Sequence, residues 1–266
     1  MMSRCLYLYP KGILLGIAFV LFVAINTEAN PPKDLMIYLN FDEGSGKSAK
    51  DQSKNKYVGE LMQGAKWSKE GAPDFGSGVQ MNGGSSHVAV NEFSTEALKA
   101  SNEITIGAWF KSIEHNQWDG VVSIELAVGG CCEFRLMIHP SMATFWNMGQ
   151  HKDRIGKFKF EAKKWYHYAM TYDGKIAEIF ANAKKVDESV EGIKLPPAKG
   201  VFYVGTGESP GTWAMEKGII DEVFAFSRRL KANELKDVME KGAIPKAVEA
   251  KNKLATSWGN LKVSRL

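Results

Sequence analysis

The chain has 266 residues, 44% of them hydrophobic and 24% charged, with a formal net charge of +4. This composition excludes a disordered or low-complexity chain and leaves room for one all-β domain of roughly 200 residues with a full core, plus extras. So small a positive charge does not call for a nucleic-acid partner.

The chain opens with Arg4 and Lys11, an apolar run from Gly12 to Ile25, and then Thr27-Glu28-Ala29. A basic start, about 14 apolar residues and small residues at −3 and −1 read as a secretory signal peptide over residues 1–29. The run is shorter than the roughly 20 residues that span a bilayer. The expectation is a secreted, periplasmic or cell-surface protein with no membrane span after cleavage.

Asp34 to Phe41 reads as a strand, with Leu35, Ile37, Leu39 and Phe41 on one face. A polar loop follows from Asp42 to Ser48, and Asp51 to Lys56 is a second turn. Gly46-Lys47-Ser48 imitates the end of a phosphate-binding loop, but Phe41 stands where that motif needs glycine, and no helix pattern follows. Phe75 to His87 and on to Val90 reads as strand, glycine-rich turn and strand. Phe93 to Ala100 suits a short helical turn. Ile104 to Lys111 is a strand whose Gly107 predicts a close backbone approach.

Gly120 to Leu126 and Phe134 to Ile138 read as a hairpin bridged by the loop that holds the adjacent Cys131 and Cys132. In an oxidising compartment these can pair in a strained ring, pair with another chain, or stay thiols. Ala143 to Trp146 and Phe158 to Phe160 are further strands. The most regular stretch runs from Lys164 to Val186. Its alternating aromatics place Trp165, His167, Ala169 and Thr171 on one face and Tyr166, Tyr168, Met170 and Tyr172 on the other. Asp173-Gly174 supplies the turn of a β-hairpin, and Asn182 a second turn. Phe202 to Val204 and Gly218 to Phe226 complete the strands. Ala232 to Lys241, ended by Gly242, is the one clear helix, although Lys231 stands where a capping Ser or Asp is expected. Residues 243–266 read as a polar tail. More than a dozen short strands with regular turn signals predict an all-β sandwich of two antiparallel sheets.

In order, Leu39 to Gly46 with Asp51-Gln52-Ser53, Val79 to Gly83, Ile104 to Lys111, Trp165 to Tyr168 with Tyr172-Asp173-Gly174, Asn182-Ala183-Lys184, and Gly218 to Val223 with Arg229-Leu230 carry a resemblance. They resemble the laminin-G-like jelly rolls of the concanavalin A-like lectin/glucanase superfamily, bacterial type, over residues 34–242. The resemblance implies a jelly-roll fold and a module that binds carbohydrate or protein at the cell surface. It also implies that the first strand pairs with the Gly218–Phe226 strand, bringing the Asp42 and Asp51 loops near Asp221.

Glucan-cleaving members of that superfamily carry Glu-x-Asp-x-x-Glu on one strand, where period-two spacing gathers the carboxylates needed for acid/base work. The chain has no such run, no Gly-x-Ser-x-Gly and no His-Glu-x-x-His, so no catalytic residues are assigned. Calcium is the cofactor to expect, because hard cations take loop carboxylates, with Asp42, Asp51 and Asp221 as candidate ligands. The same carboxylates otherwise hydrogen-bond turn amides. Sugars favour exposed aromatic faces beside amides. Trp118, with Asn116, and Trp146, with Asn147, and Trp213 in its Ser-Pro-Gly loop are therefore the candidate ligand contacts. Trp109 and Trp165 sit in strand motifs and suit the core. The expected partner is a glycan or polysaccharide, the alternative an extracellular protein.

Overall fold

The computed structural model describes residues 30–115, 117–127, 133–149, 152–208 and 212–245. The predicted signal peptide, Asn116, the cysteine pair and residues 246–266 of the predicted tail lie outside the described residues.

Two antiparallel sheets form the sandwich. The first runs β14 (Lys184–Val190), β13 (Ile176–Ala181), β12 (Tyr166–Tyr172), β7 (Ile104–Glu114), β16 (Lys217–Phe226), β5 (Gly78–Met81) and β4 (Lys66–Ser68), with β1 (Leu35–Leu39) also on β16. The second runs β11 (Asp153–Lys159), β10 (Ala143–Met148), β9 (Glu133–Ile138), β8 (Asp119–Leu126), β15 (Lys199–Val204), β6 (His87–Ser94), β3 (Val58–Met62) and β2 (Ser48–Lys50). A short helix α1 (Leu98–Ser101) precedes β7, and α2 (Ala232–Lys241) follows β16. This is the expected jelly roll, and β1 pairs with β16 as the resemblance implied, through Leu39 opposite Val223. No helix among the described residues is long and apolar enough to cross a membrane.

Alternation decides what each strand buries. On β12, Tyr166, Tyr168, Met170 and Tyr172 enter the core between the sheets. Gly174 at φ +89° makes the turn to β13, and the Asp173 carboxylate accepts the N–H groups of Lys175 at 3.0 Å and Ile176 at 2.8 Å. Gly107 is a point of close approach, since an added Cβ would stand 2.6 Å from the Phe224 ring and 2.9 Å from the Tyr168 carbonyl.

The opposite face of the first sheet carries Ala169, Phe180, Phe224, Leu35 and Tyr38, and α2 packs on it through Leu235. The Trp109 indole N–H donates to the Met239 carbonyl at 3.2 Å, clamping the helix. Lys231 makes no side-chain cap, but half of a capping box is present, the Glu234 carboxylate accepting the Lys231 N–H at 2.8 Å. Strands β2, β3 and β4 were not expected from the sequence. They are short and lie toward the sheet ends, and their polar residues give little alternation to read.

Beneath α2, His167 is buried and stacks on Phe224, ring centroids 5.6 Å apart at 15°. Burial pushes its pKa down to about 3. An imidazole with a folded pKa below its unfolded value of about 6.5 destabilises the fold once pH drops below 6.5. By pH 4 the linkage amounts to about 3 kcal/mol. His167→Leu is therefore expected to remove most of that acid-dependent loss, read from urea unfolding at neutral and acid pH. An unchanged loss in the variant would refute the assignment.

Candidate functional site

The second sheet sends Phe134, Leu136, Ile138, Trp146 and Met148 into the core. The alternate residues Arg135, Met137, Phe145 and Asn147 therefore face away from it. Pairing puts Tyr203, Ser123, Arg135, Asn147 and Asp153 in one row across five strands. Loops at one end of this face carry two of the candidate aromatics, Trp118 and Trp213.

Trp118 ends the β7–β8 loop and lies edge-on to His139 at 4.6 Å and to Phe145 at 4.7 Å between centroids. Trp213, in the β15–β16 loop, reaches to 6.3 Å from Trp118, with the rings tilted by 44°. Two indoles far apart in sequence thus form one aromatic platform. Trp213 is 36% exposed. Its φ of +55° holds a bulky residue in the left-handed region, a conformation that persists only where surrounding contacts enforce it.

Those contacts are specific. The Gly120 N–H donates to the Trp213 carbonyl at 2.9 Å, and the Gln117 side-chain amide donates to the Ala214 carbonyl at 3.2 Å. The Thr206 hydroxyl donates to the Thr212 carbonyl at 2.8 Å, and the Ser123 hydroxyl to the Thr206 carbonyl at 3.0 Å. Beneath the indole, the Arg135 guanidinium lies 5.2 Å from the ring centroid and pairs with Glu208.

His115 joins the loops. Its Nδ1 lies 2.8 Å from Asp119 Oδ2 and its Nε2 2.9 Å from the His139 carbonyl, while Asp119 Oδ1 accepts the Glu216 N–H at 2.9 Å. Burial alone would lower the His115 pKa, but the Asp119 hydrogen bond and charge and the His139 carbonyl outweigh it and raise it. Burial raises Asp119 against the opposing pull of His115. With its folded pKa raised, His115 contributes stability that is full below about 6.5 and lost as pH rises through the folded value. The loops carrying Trp118 and Trp213 are thus expected to loosen as pH rises through that value, read as a change in tryptophan fluorescence. His115→Gln is expected to flatten that profile and to cost about 2 kcal/mol. An identical profile in the variant would place the titration elsewhere.

The structure corrects two candidates, Trp146 and Asn147. Trp146 lies in the core between the sheets, 2% exposed, with its indole N–H donating to Ser189 at 3.1 Å, so it offers no face to a ligand. Asn147 is on the outward face but buried, and its amide donates to Asp153 at 2.9 Å. Asn116 lies outside the described residues. Arg135 and Glu208 were not anticipated; the signal available for Arg135 was a charged residue inside the otherwise apolar run Phe134 to Ile138.

The three acidic candidates serve the backbone. Asp51 accepts the N–H groups of Tyr38 at 2.9 Å, Ser53 at 2.8 Å and Tyr57 at 3.1 Å, and the Ser53 hydroxyl at 2.6 Å. Asp221 is buried and accepts the Ala72 and Glu222 N–H groups, each at 2.8 Å. Asp42 is exposed and accepts the Asn40 amide at 3.0 Å and the Ser77 N–H at 3.3 Å. Asp42 and Asp221 both approach the segment 71–77, Asp42 at Gly76 and Asp221 at Gly71. Among the described residues no three metal-ligating side chains cluster. With their oxygens committed to protein donors, these three do not present a donor set that fits one calcium ion.

A family model described as the concanavalin A-like lectin/glucanases superfamily matches residues 82–236, more than half of the chain. No curated protein matches. Among solved structures, the receptor-binding domain of botulinum neurotoxin D is 11% identical at a TM-score of 0.58, covering 78% of this chain and 52% of that one. The binding domain of botulinum neurotoxin serotype G is 13% identical at a TM-score of 0.59, covering 77% and 50%. A Trypanosoma rangeli sialidase in complex with 2,3-difluoro-KDN is 16% identical at a TM-score of 0.61, covering 79% and 33%. The chain thus spans about half the length of these binding domains and a third of the sialidase. Such identities show a shared fold.

Proposed function

The chain belongs to the concanavalin A-like lectin/glucanases superfamily, and from that premise we propose that it is an exported, non-catalytic module that binds a glycan through Trp118 and Trp213. The observation that carries this reading is the paired indoles, one of them exposed and held in a strained backbone conformation over a charged support. A pyranose ring presents C–H groups that stack on such a face, and the flanking amides and carboxylates can take its hydroxyls. Similar folds, among them a botulinum neurotoxin DC binding domain in complex with SialylT, support a glycan as the kind of ligand.

The test is a screen of the purified protein against glycans and polysaccharides, run in calcium and again in EDTA. Retention that persists in EDTA is expected, because Asp42, Asp51 and Asp221 are occupied by amides. Retention lost in EDTA would return the metal to the site. Retention of no glycan, with capture of one extracellular protein, would favour the protein-binding alternative. Release of reducing sugar would overturn the non-catalytic reading.

A further inference from the structure

We infer that the Trp118–Trp213 site selects uncharged sugar residues and turns away acidic ones, because the cation beneath it is already neutralised within the protein. The inference rests on the glycan reading above and names the ligand class of that same site.

Arg135 is the cation placed to meet an acidic sugar. Its side chain is only 2% exposed and pairs with Glu208, which is 28% exposed and so stands on the solvent side of the pair. The Trp213 ring covers the guanidinium as well. A sugar carboxylate would have to displace Glu208 to reach Arg135, and would lose as much charge pairing as it gained. Two further basic residues beside the platform are likewise paired. His115 holds Asp119 at 2.8 Å, and Lys217 holds Glu114 at 2.6 Å. Glu216 adds a negative charge near His115. An anion approaching the Trp213 indole therefore meets the Glu208 carboxylate before the Arg135 guanidinium. Arg135 acts as a positioning residue, setting the Trp213 plane by cation–π contact while its own charge stays satisfied.

The experiment compares one oligosaccharide with and without a terminal sialic acid, titrated against the purified protein at about 50 and about 500 mM salt. The expected result is a preference of at least tenfold for the neutral form, with its affinity changing less than about twofold across the salt range. In Glu208→Gln, the guanidinium, no longer neutralised, is expected to narrow the preference by strengthening sialylated binding about fivefold. If that variant does not fold, the salt series on the parent still decides. Equal or tighter binding of the sialylated form, weakening steeply with salt, would overturn the inference and leave the glycan reading standing. Binding of neither form, nor of any glycan in the wider screen, would overturn both.

Discussion

Trp213→Ala is expected to lower affinity for the retained glycan at least tenfold, about 1.4 kcal/mol or more, with a change in folding stability of about 1 kcal/mol or less. The asymmetry follows from placement. The indole is 36% exposed and contributes a face to the ligand, while Arg135 keeps its ion pair with Glu208 when the ring is removed. Trp146→Ala is the opposite case. That ring fills the core between the sheets, so its loss is expected to cost about 3 to 5 kcal/mol in stability. Titration calorimetry and chemical unfolding on the two variants separate the effects. Weakened binding by Trp146→Ala alone, in a folded protein, would contradict the assignment.

Gly120→Ala is expected to damage both stability and binding. A Cβ at this position would stand 2.1 Å from the Thr206 carbonyl carbon and 2.3 Å from the Gly207 nitrogen, both backbone atoms that cannot rotate away. Gly120 also donates its N–H to the Trp213 carbonyl, so the loop bearing the indole rests on this strand position. Relief of the clash requires the loop to lift, separating Trp213 from Trp118 and from Arg135. A stability loss of about 2 to 3 kcal/mol is expected from overpacking. Glycan affinity in the folded fraction is expected to fall at least as far as in Trp213→Ala. Parent-like binding by a folded Gly120→Ala protein would show that loop placement does not control the site.

The fold was legible where alternation was clean. The β12–β13 hairpin declares itself through Tyr166, Tyr168, Met170 and Tyr172, since a period of two with aromatics on both faces has no helical alternative. Gly107 was legible for a related reason, as a strand interior without a side chain implies a neighbour that needs the space. Strand β3 was not, because Val58 to Met62 mixes exposed and buried residues without strict alternation.

The site was half legible. Loop composition pointed to Trp118 and Trp213, whose polar and Pro-Gly surroundings place them off the strands. The same reasoning failed for Trp146. In Ala-Thr-Phe-Trp-Asn-Met every side chain is buried, so period two cannot tell the core face from the outward one. The Arg135–Glu208 support was beyond reach because it joins residues 73 positions apart, brought together only when β9 lies beside the β15–β16 loop. The acidic candidates were misjudged because sequence does not distinguish a carboxylate that waits for a cation from one that accepts turn amides.

The central claim is that the two loop indoles form the glycan platform, and the chain's seven tryptophans allow one measurement to test it. Indole N–H resonances, assigned by single Trp→Phe replacements, would be followed by NMR while the retained oligosaccharide is added. The account predicts that the Trp118 and Trp213 signals shift with a common dissociation constant while those of Trp109 and Trp146, donating to Met239 and Ser189, stay in place. Movement of the Trp109 or Trp146 signals with Trp118 and Trp213 unmoved would contradict it.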